Sequence, residues 1–305
     1  MTDEVLLAPV VLFAYARLDH LQQTIESLQR NPEAAASALH VYCDGPPNDQ
    51  VKLRTDAVRT YVDSLQGFAS VTRVYRNTNL GLAKSIISGV TELLSQHPTV
   101  IVMEDDLVVS SHFLGFMNSA LSCYKDDVRV ASIHGYCYPT QEALPETFFM
   151  KGADCWGWAT WARAWAQFEP DGRRLLQQLR QRKLSYDFDL DGSYPFTRML
   201  RGQIAGRNDS WAIRWHASCY LANMLTLYPG RTLVENIGHD DSGTHCAPTN
   251  VYSSPLEMKP VLIHRIALQP SLAGRLSFIN FFRANKENLF RKVMRHMSKR
   301  LKHFL

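Results

Sequence analysis

The sequence predicts an α/β fold, with a mainly parallel sheet flanked by helices and an irregular second half. Three observations carry this expectation. Short β-rich runs alternate with stretches of helical spacing through the first half of the chain. Each of those runs ends on polar or charged residues. After about Tyr138 the alternation gives way to a segment rich in Trp, Gly and Asp, with no Pro/Gly/Ser linker ahead of it.

The elements follow in order. Pro9–Tyr15 (PVVLFAY) reads as a strand and Leu18–Gln29 as a helix. Leu39–Cys43 (LHVYC) and Gln50–Leu65 repeat the pair, as do Ser70–Tyr75 (SVTRVY) and Leu82–Leu94. Thr99–Met103 (TVIVM) is a fourth strand, running into Glu104-Asp105-Asp106, and Phe113–Leu121 has helical spacing again. Strands separated by helices pair in parallel, with helices on both faces. Ligands of such sheets gather at the carboxyl ends of the strands. That rule singles out Arg17, Asp44-Gly45, Asn77 to Gly81 and the acidic triplet. We expect residues 1–138 to form this half. Residues 139–255 would form a second half of the same domain, folded onto the sheet edge, and 256–305 a C-terminal tail.

Composition bounds the alternatives. A hydrophobic content of 46% and a charged content of 20% are those of an ordinary globular protein. The net charge of +4 makes no case for nucleic acid. The six cysteines are scattered without a C-x-x-C pair, unlike a zinc site or disulfide scaffold. MTDEVLLAPVVLF lacks a basic n-region, and no apolar stretch approaches the roughly 20 residues that span a bilayer. These features suggest a reducing, cytoplasmic enzyme, able to touch a membrane only from that side. The charge is unevenly placed: from Arg283 onward eight Lys and Arg residues face a single acid, Glu287.

The triplet raises the sharpest chemical question. Three adjacent ionised carboxylates need a compensating cation, or one must hold its proton. On an extended chain Glu104 and Asp106 point one way and Asp105 the other. A Mn2+ or Mg2+ ion suits the site, because such ions take oxygen ligands from one or two carboxylates plus substrate phosphates. The plainer readings are an acidic surface turn, or Asp106 capping the next helix. Ser110-Ser111 stands closer to that helix and is the better cap.

With these residues in place the chain resembles the GT-A-fold (Rossmann-like) glycosyltransferases, in particular the N-acetylglucosaminyltransferase I group and bacterial family-2-like enzymes. The pieces that carry the resemblance are VVLFAYARLDHLQQTIESL, VYCDG, NTNLGLAKSIISGV, IVMEDDLVVS, ADCWGWATW, NDSW and ENIGHDDSGTH, spread over residues 8 to 246. The resemblance implies an inverting transfer of a sugar from a nucleoside diphosphate, UDP above all, to a glycan hydroxyl. It also implies that Asp106 holds the metal, that Asp105 lies near the ribose, and that Glu104 lies near the base or supports the others. The metal neutralises the diphosphate as it leaves.

Other positions carry a role and a plainer alternative. Arg17 can bind the nucleotide or its phosphate; as a surface residue at a helix start it would oppose the dipole. Asp44 suits a uracil edge or an ordinary Asp-Gly turn. Lys84, after the glycine of NLGLAK, reaches the donor or is simply solvated. An inverting enzyme needs a base for the acceptor hydroxyl. By resemblance this is Asp209 of NDSW, with Ser210 as the helix cap and Asp154 and Asp189 in reserve. Trp156, Gly157, Trp158 and Asp154 match the acceptor side. Trp158, Trp161 and Trp165 also share a helical face, and a core stripe is the reading for the latter two. Within ENIGHDDSGTH, a loop that closes over the diphosphate in the resembling enzymes, Ser242 would donate to phosphate and His245 bind metal or phosphate.

From Leu289 to Leu305 apolar residues recur at helical spacing among Lys and Arg. Such a helix lies on an anionic membrane surface or packs on the domain with a solvated basic face. On the membrane reading the acceptor is a lipid-linked glycan. Two rival functions share many features: a sugar-phosphate nucleotidyltransferase, and an inactive carbohydrate- or membrane-binding module. Against the first, FAYARLDH has no glycine to form a phosphate loop.

Overall fold

The computed structural model describes residues 7–240 and 250–286. Strands β1 (Val10–Ala14), β2 (Ala38–Cys43), β3 (Ser70–Tyr75) and β4 (Thr99–Glu104) alternate with helices α1 (Leu18–Gln29), α2 (Asp49–Asp63) and α3 (Leu82–Leu94). β5 (Leu107–Val109) and α4 (Phe113–Cys123) complete the first half. The second half adds strands β6 (Val130–His134), β7 (Thr147–Lys151) and β8 (Trp158–Trp161), then helices α5 (Ala162–Trp165), α6 (Gly172–Gln181), α7 (Ser185–Phe188), α8 (Phe196–Ile204) and α9 (Trp211–Leu221). It ends with β9 (Leu225–Pro229), β10 (Val234–Asn236) and α10 (Leu272–Ala284).

Eight strands form one sheet in the order β3-β2-β1-β4-β8-β6-β9-β7. β1 is parallel to both β2 and β4, pairing Val10 with Leu39 and with Ile101. All five residues of β1 are buried, as a central strand covered on both faces requires. α1 presents Leu21, Ile25 and Leu28 to one face of the sheet, where they join the cluster of Val10, Leu12, Val41 and Met103. α3 covers the other face with Ala83, Ile86 and Val90 against Val11 and Phe13. The expected α/β architecture is therefore present, and the expected boundaries of α1, β3 and α3 are those observed.

Two features depart from the reading of the sequence. The Trp158–Trp161 segment is a strand, antiparallel to β4 (Val102 opposite Trp158) and to β6 (His134 opposite Trp158). The shared helical face expected of Trp158, Trp161 and Trp165 does not exist, since only Trp165 lies in a helix. Alternation instead sends Trp158 and Trp161 into different clusters, Trp158 with Trp165, Trp211 and Trp215, and Trp161 with Ile101 and Ala159. At α4 the cap position falls on His112, and the Ser110 hydroxyl instead donates to the Glu257 carbonyl at 2.6 Å.

β6 and β9 run in the same direction as β4, whereas β7 and β8 run against it. The carboxyl ends of β1, β2, β4 and β6 and the start of β8 thus meet along one edge. A second ribbon, β5 antiparallel to β10, leaves this edge directly after the triplet and pairs Leu107 with Asn236. It carries residues 237–240 back across the acids.

Candidate active site

The triplet lies where β4 ends, and its three acids differ in environment. Asp105 is 4% exposed. Its side chain takes a short ion pair from Arg17 and the Tyr15 backbone N–H at 3.3 Å, and its carbonyl accepts the Thr24 hydroxyl at 2.9 Å. The same Arg17 nitrogen donates to Asp106 Oδ2 at 2.8 Å. Residues 88 and 89 positions apart in the chain are in contact because β1 and β4 are neighbours in the sheet. The cation that the sequence lacked near the triplet comes from the adjacent strand's loop. Because β1 and α1 hold Arg17 between two acids, its pKa rises despite burial that opposes it, so it stays charged.

One guanidinium does not neutralise three carboxylates. Glu104, half-buried beside the other two, is pushed up to about 8, by burial first and then by Asp106 and Asp105, with Arg17 offsetting only part. Asp105 is raised by burial against the pull of Arg17. A surplus of negative charge at a strand end, with Asp106 still partly accessible, is the donor set that a hard divalent cation completes. Among the described residues no group of three or more His, Cys, Asp or Glu side chains is placed to hold a metal ion by itself. Both oxygens of Asp105 are engaged and buried, so the ribose contact expected of it does not fit; Asp105 anchors Arg17 instead.

The 237–240 segment fits closely over these acids. The Ile237 N–H donates to the Asp106 carbonyl at 2.9 Å. A Cβ on Gly238 would stand 2.2 Å from Asp106 Oδ2 and 3.0 Å from Arg17 Nη1, so any larger residue here would push the Asp106 carboxylate out of its pairing with Arg17. His20 Nε2 on α1 pairs with Asp240 Oδ2 at 3.1 Å. The His239 ring packs on Trp156 at 5.4 Å and on Tyr252 at 5.4 Å. Ser242 and His245, expected to touch phosphate or metal, lie outside the described residues, as does the tail from Leu289.

At the end of β2, Asp44 accepts the backbone N–H groups of Gly45, Leu80 and Gly81 at 2.8 to 2.9 Å. It braces the loop that leads into α3, and one lone-pair position of Oδ2 stays open. Lys84 is exposed in the first turn of α3.

The acceptor-side group divides. Trp156 is partly exposed and packs on Tyr136 at 4.7 Å. Trp158 is 0% exposed and stacks on Trp211 at 5.4 Å in the core, so it cannot touch an acceptor. Gly157 is buried at φ +60°, and a Cβ there would meet Val234 Cγ2 at 2.8 Å; it serves packing rather than binding. Asp154 is partly exposed and accepts the hydroxyl of Tyr138 at 3.1 Å, with Tyr228 at 3.5 Å. Asp209 lies just before α9, where Ser210 caps the helix as expected by accepting the Ile213 N–H at 3.2 Å. The Asp209 side chain is 63% exposed and pairs with Arg214 at 3.6 Å. The reserve candidate Asp189 is spent on Thr197, whose N–H and hydroxyl both donate to it at 2.6 Å.

Sequence reasoning passed over His134, Tyr138, Tyr228 and Gly238. The glycine had a signal, its place in a polar loop. The others look like core residues of strands, and only the sheet order brings them to this edge.

No protein-family model matches the chain, and no curated protein matches it. Solved structures with some similarity include the mannosyltransferase PcManGT from Pyrobaculum calidifontis in complex with GDP-Man and Mn2+, at 12% identity over 43% of this chain and 35% of that one, TM-score 0.32. S. aureus TarS 1–349 is similar at 12% identity over 50% and 47% of the two chains, TM-score 0.32. A cytidylyltransferase from Leptospira borgpetersenii is similar at 11% over 53% and 63%, TM-score 0.34. The chain thus spans less than two thirds of the length of each. At these TM-scores the likeness carries no argument about chemistry, which rests on the site itself.

Proposed function

We propose that this chain is a metal-dependent, inverting glycosyltransferase of the GT-A type. It would move a hexosyl or N-acetylhexosaminyl group from a UDP-sugar to a hydroxyl of a glycan acceptor in surface polysaccharide synthesis. The observation that carries the reading is the acidic triplet at the end of β4, gripped by Arg17 from β1 and crossed by the Gly238 loop. Asp106, with Glu104 beside it, would hold Mn2+ or Mg2+. When bound, the ion supplies Lewis-acid stabilisation to a leaving diphosphate.

The chain's own residues supply the rest. Arg17 and Lys84 offer positive charge to the diphosphate. Asp44 offers its open Oδ2 position to the base. Trp156 offers a ring face to a sugar. Two carboxylates are available to take the acceptor proton, Asp209 and Asp154. The basic residues of 289–305 would draw the protein to an anionic membrane and thereby to a lipid-linked acceptor. Among the described residues no helix is long and apolar enough to cross a membrane.

The test is nucleotide release from UDP-, GDP-, dTDP- and CMP-sugars, with manganese and with chelator. Manganese-dependent release from one donor is expected, and Asp106→Asn should abolish the manganese dependence of donor binding. No binding or turnover of any donor would sink the proposal. Consumption of a nucleoside triphosphate with a sugar phosphate would replace it with the nucleotidyltransferase reading.

A further inference from the structure

We propose that Asp154 takes the proton of the acceptor hydroxyl, and that His134, Tyr138 and Tyr228 are positioning residues that aim it. The proposal presupposes the sugar transfer set out above. Asp154 stands in the loop between β7 and β8 with 27% of its side chain exposed, open to a substrate yet braced from behind. The bracing is one-sided. Oδ2 receives the Tyr138 hydroxyl at 3.1 Å and lies 3.5 Å from that of Tyr228 and 3.8 Å from His134 Nε2. Oδ1 receives the Cys155 backbone N–H at 2.9 Å, and the Cys155 thiol lies against the same carboxylate. A carboxylate oxygen offers about two acceptor positions, so Oδ2 is filled and Oδ1 is the less engaged oxygen. A base held by donors on one oxygen and less engaged on the other follows the logic of a catalytic group oriented by its neighbours.

His134 strengthens the argument. It is fully buried at the end of β6, and neither ring nitrogen has a hydrogen-bond partner. A buried polar group left in this state costs about 1–3 kcal/mol. The carboxylate 3.8 Å away is the polar group it faces. Burial also pushes its pKa down to about 4, so the ring is neutral, with a single N–H to give.

Position agrees as well. β8 runs antiparallel to β4 with Trp158 opposite Val102, which sets the preceding loop residues Asp154 and Cys155 alongside the end of β4, where the triplet stands. The residue after Cys155, Trp156, packs against the loop that crosses Asp106. Asp209, by contrast, projects to solvent and shares its charge with Arg214.

In the step itself the acceptor oxygen bonds to the anomeric carbon while its O–H proton passes to Oδ1 of Asp154. The bond from that carbon to the diphosphate oxygen breaks, and its electron pair leaves with the nucleoside diphosphate. Water can take the acceptor's place, so the test needs no identified glycan. Hydrolytic nucleotide release from the donor found in the four-sugar panel is measured with Mn2+ in the full chain, alongside donor binding.

Asp154→Asn is expected to keep donor binding and lose about 100-fold or more in turnover, the usual worth of a general base. Asp209→Asn, at the other carboxylate of the pair, should lose less turnover than Asp154→Asn. Tyr138→Phe, at a partly exposed ring that should still fold, removes a donor from the carboxylate. It should therefore lower kcat with donor KM unchanged, as should His134→Gln. A role in packing alone would lower the unfolding midpoint without that split between kcat and KM. Turnover of Asp154→Asn within threefold of the parent, or an equal loss in Asp209→Asn, would overturn the assignment while sugar transfer stands. A parent chain that binds none of the four donors overturns both.

Discussion

Removing Arg17 tests the electrostatics of the site without reference to any sugar. In Arg17→Gln the guanidinium that serves both Asp105 and Asp106 is gone, and Asp105 remains 4% exposed with only the Tyr15 N–H. Truncating one partner of a fully buried ion pair costs about 3–5 kcal/mol. Arg17 is 21% exposed, and water can partly repair the loss, so the lower end, about 3 kcal/mol, applies. With an unfolding entropy of about 2.1 cal/mol/K per residue over the chain's 305 residues, that is a fall of roughly 5 °C in Tm.

The second half of the prediction is the sharper one. A divalent ion that sits on Asp106 and Glu104 replaces part of the missing charge, so Mn2+ should stabilise the variant more than the parent. An ion at 100 times its Kd contributes about 2.7 kcal/mol. Calorimetric or urea unfolding of both proteins, in chelator and in manganese, gives the four values needed. A variant within about 0.5 kcal/mol of the parent in chelator would refute the pairing, since surface changes fall in that range. Equal stabilisation of both by manganese would refute the shared site.

Three further outcomes follow from other parts of the molecule. His134 has a folded pKa of about 4 against about 6.5 unfolded, so the unfolded chain binds its proton first. Its contribution is complete above pH 6.5 and is lost as pH falls toward 4, by roughly 3 kcal/mol in full. Urea midpoints measured across that range should fall less steeply for His134→Gln than for the parent, and identical slopes would contradict the burial of a neutral ring. Trp158→Ala, which empties a fully buried site, should cost about 3–5 kcal/mol, read as a drop in unfolding midpoint. A stable variant with a selective rise in acceptor KM would return Trp158 to the binding site. In liposome flotation, a chain truncated before Leu289 should bind anionic vesicles less than the full chain, and equal binding would remove the tail as an anchor.

The part of the fold that the sequence made legible is its periodic part. Val10–Ala14 and Val100–Met103 are continuous apolar runs because both faces of a central strand are covered, and α1 and α3 repeat at helical spacing because one face of each packs on the sheet. The carboxyl-end rule then located Arg17, Asp44 and the triplet before any contact was known. Trp158–Trp161 was misread because three tryptophans at spacings of three and four satisfy a helix, while strand alternation over four residues leaves too short a trace to compete. Two antiparallel strands, β8 and β7, carry no local mark of their direction.

By itself, then, the sequence determined the α/β class, the order of the first-half elements and the chemical type of the strand-end acids. Those depend on local propensity and on which residues must be buried. Only the tertiary structure decided that Arg17 serves Asp105 and Asp106, that Trp158 is core, and that His134, Tyr138 and Tyr228 converge on one oxygen of Asp154. Each of these joins residues from different strands or loops, some of them 74 to 89 positions apart. Their meeting is set by strand order and register, which local sequence does not encode.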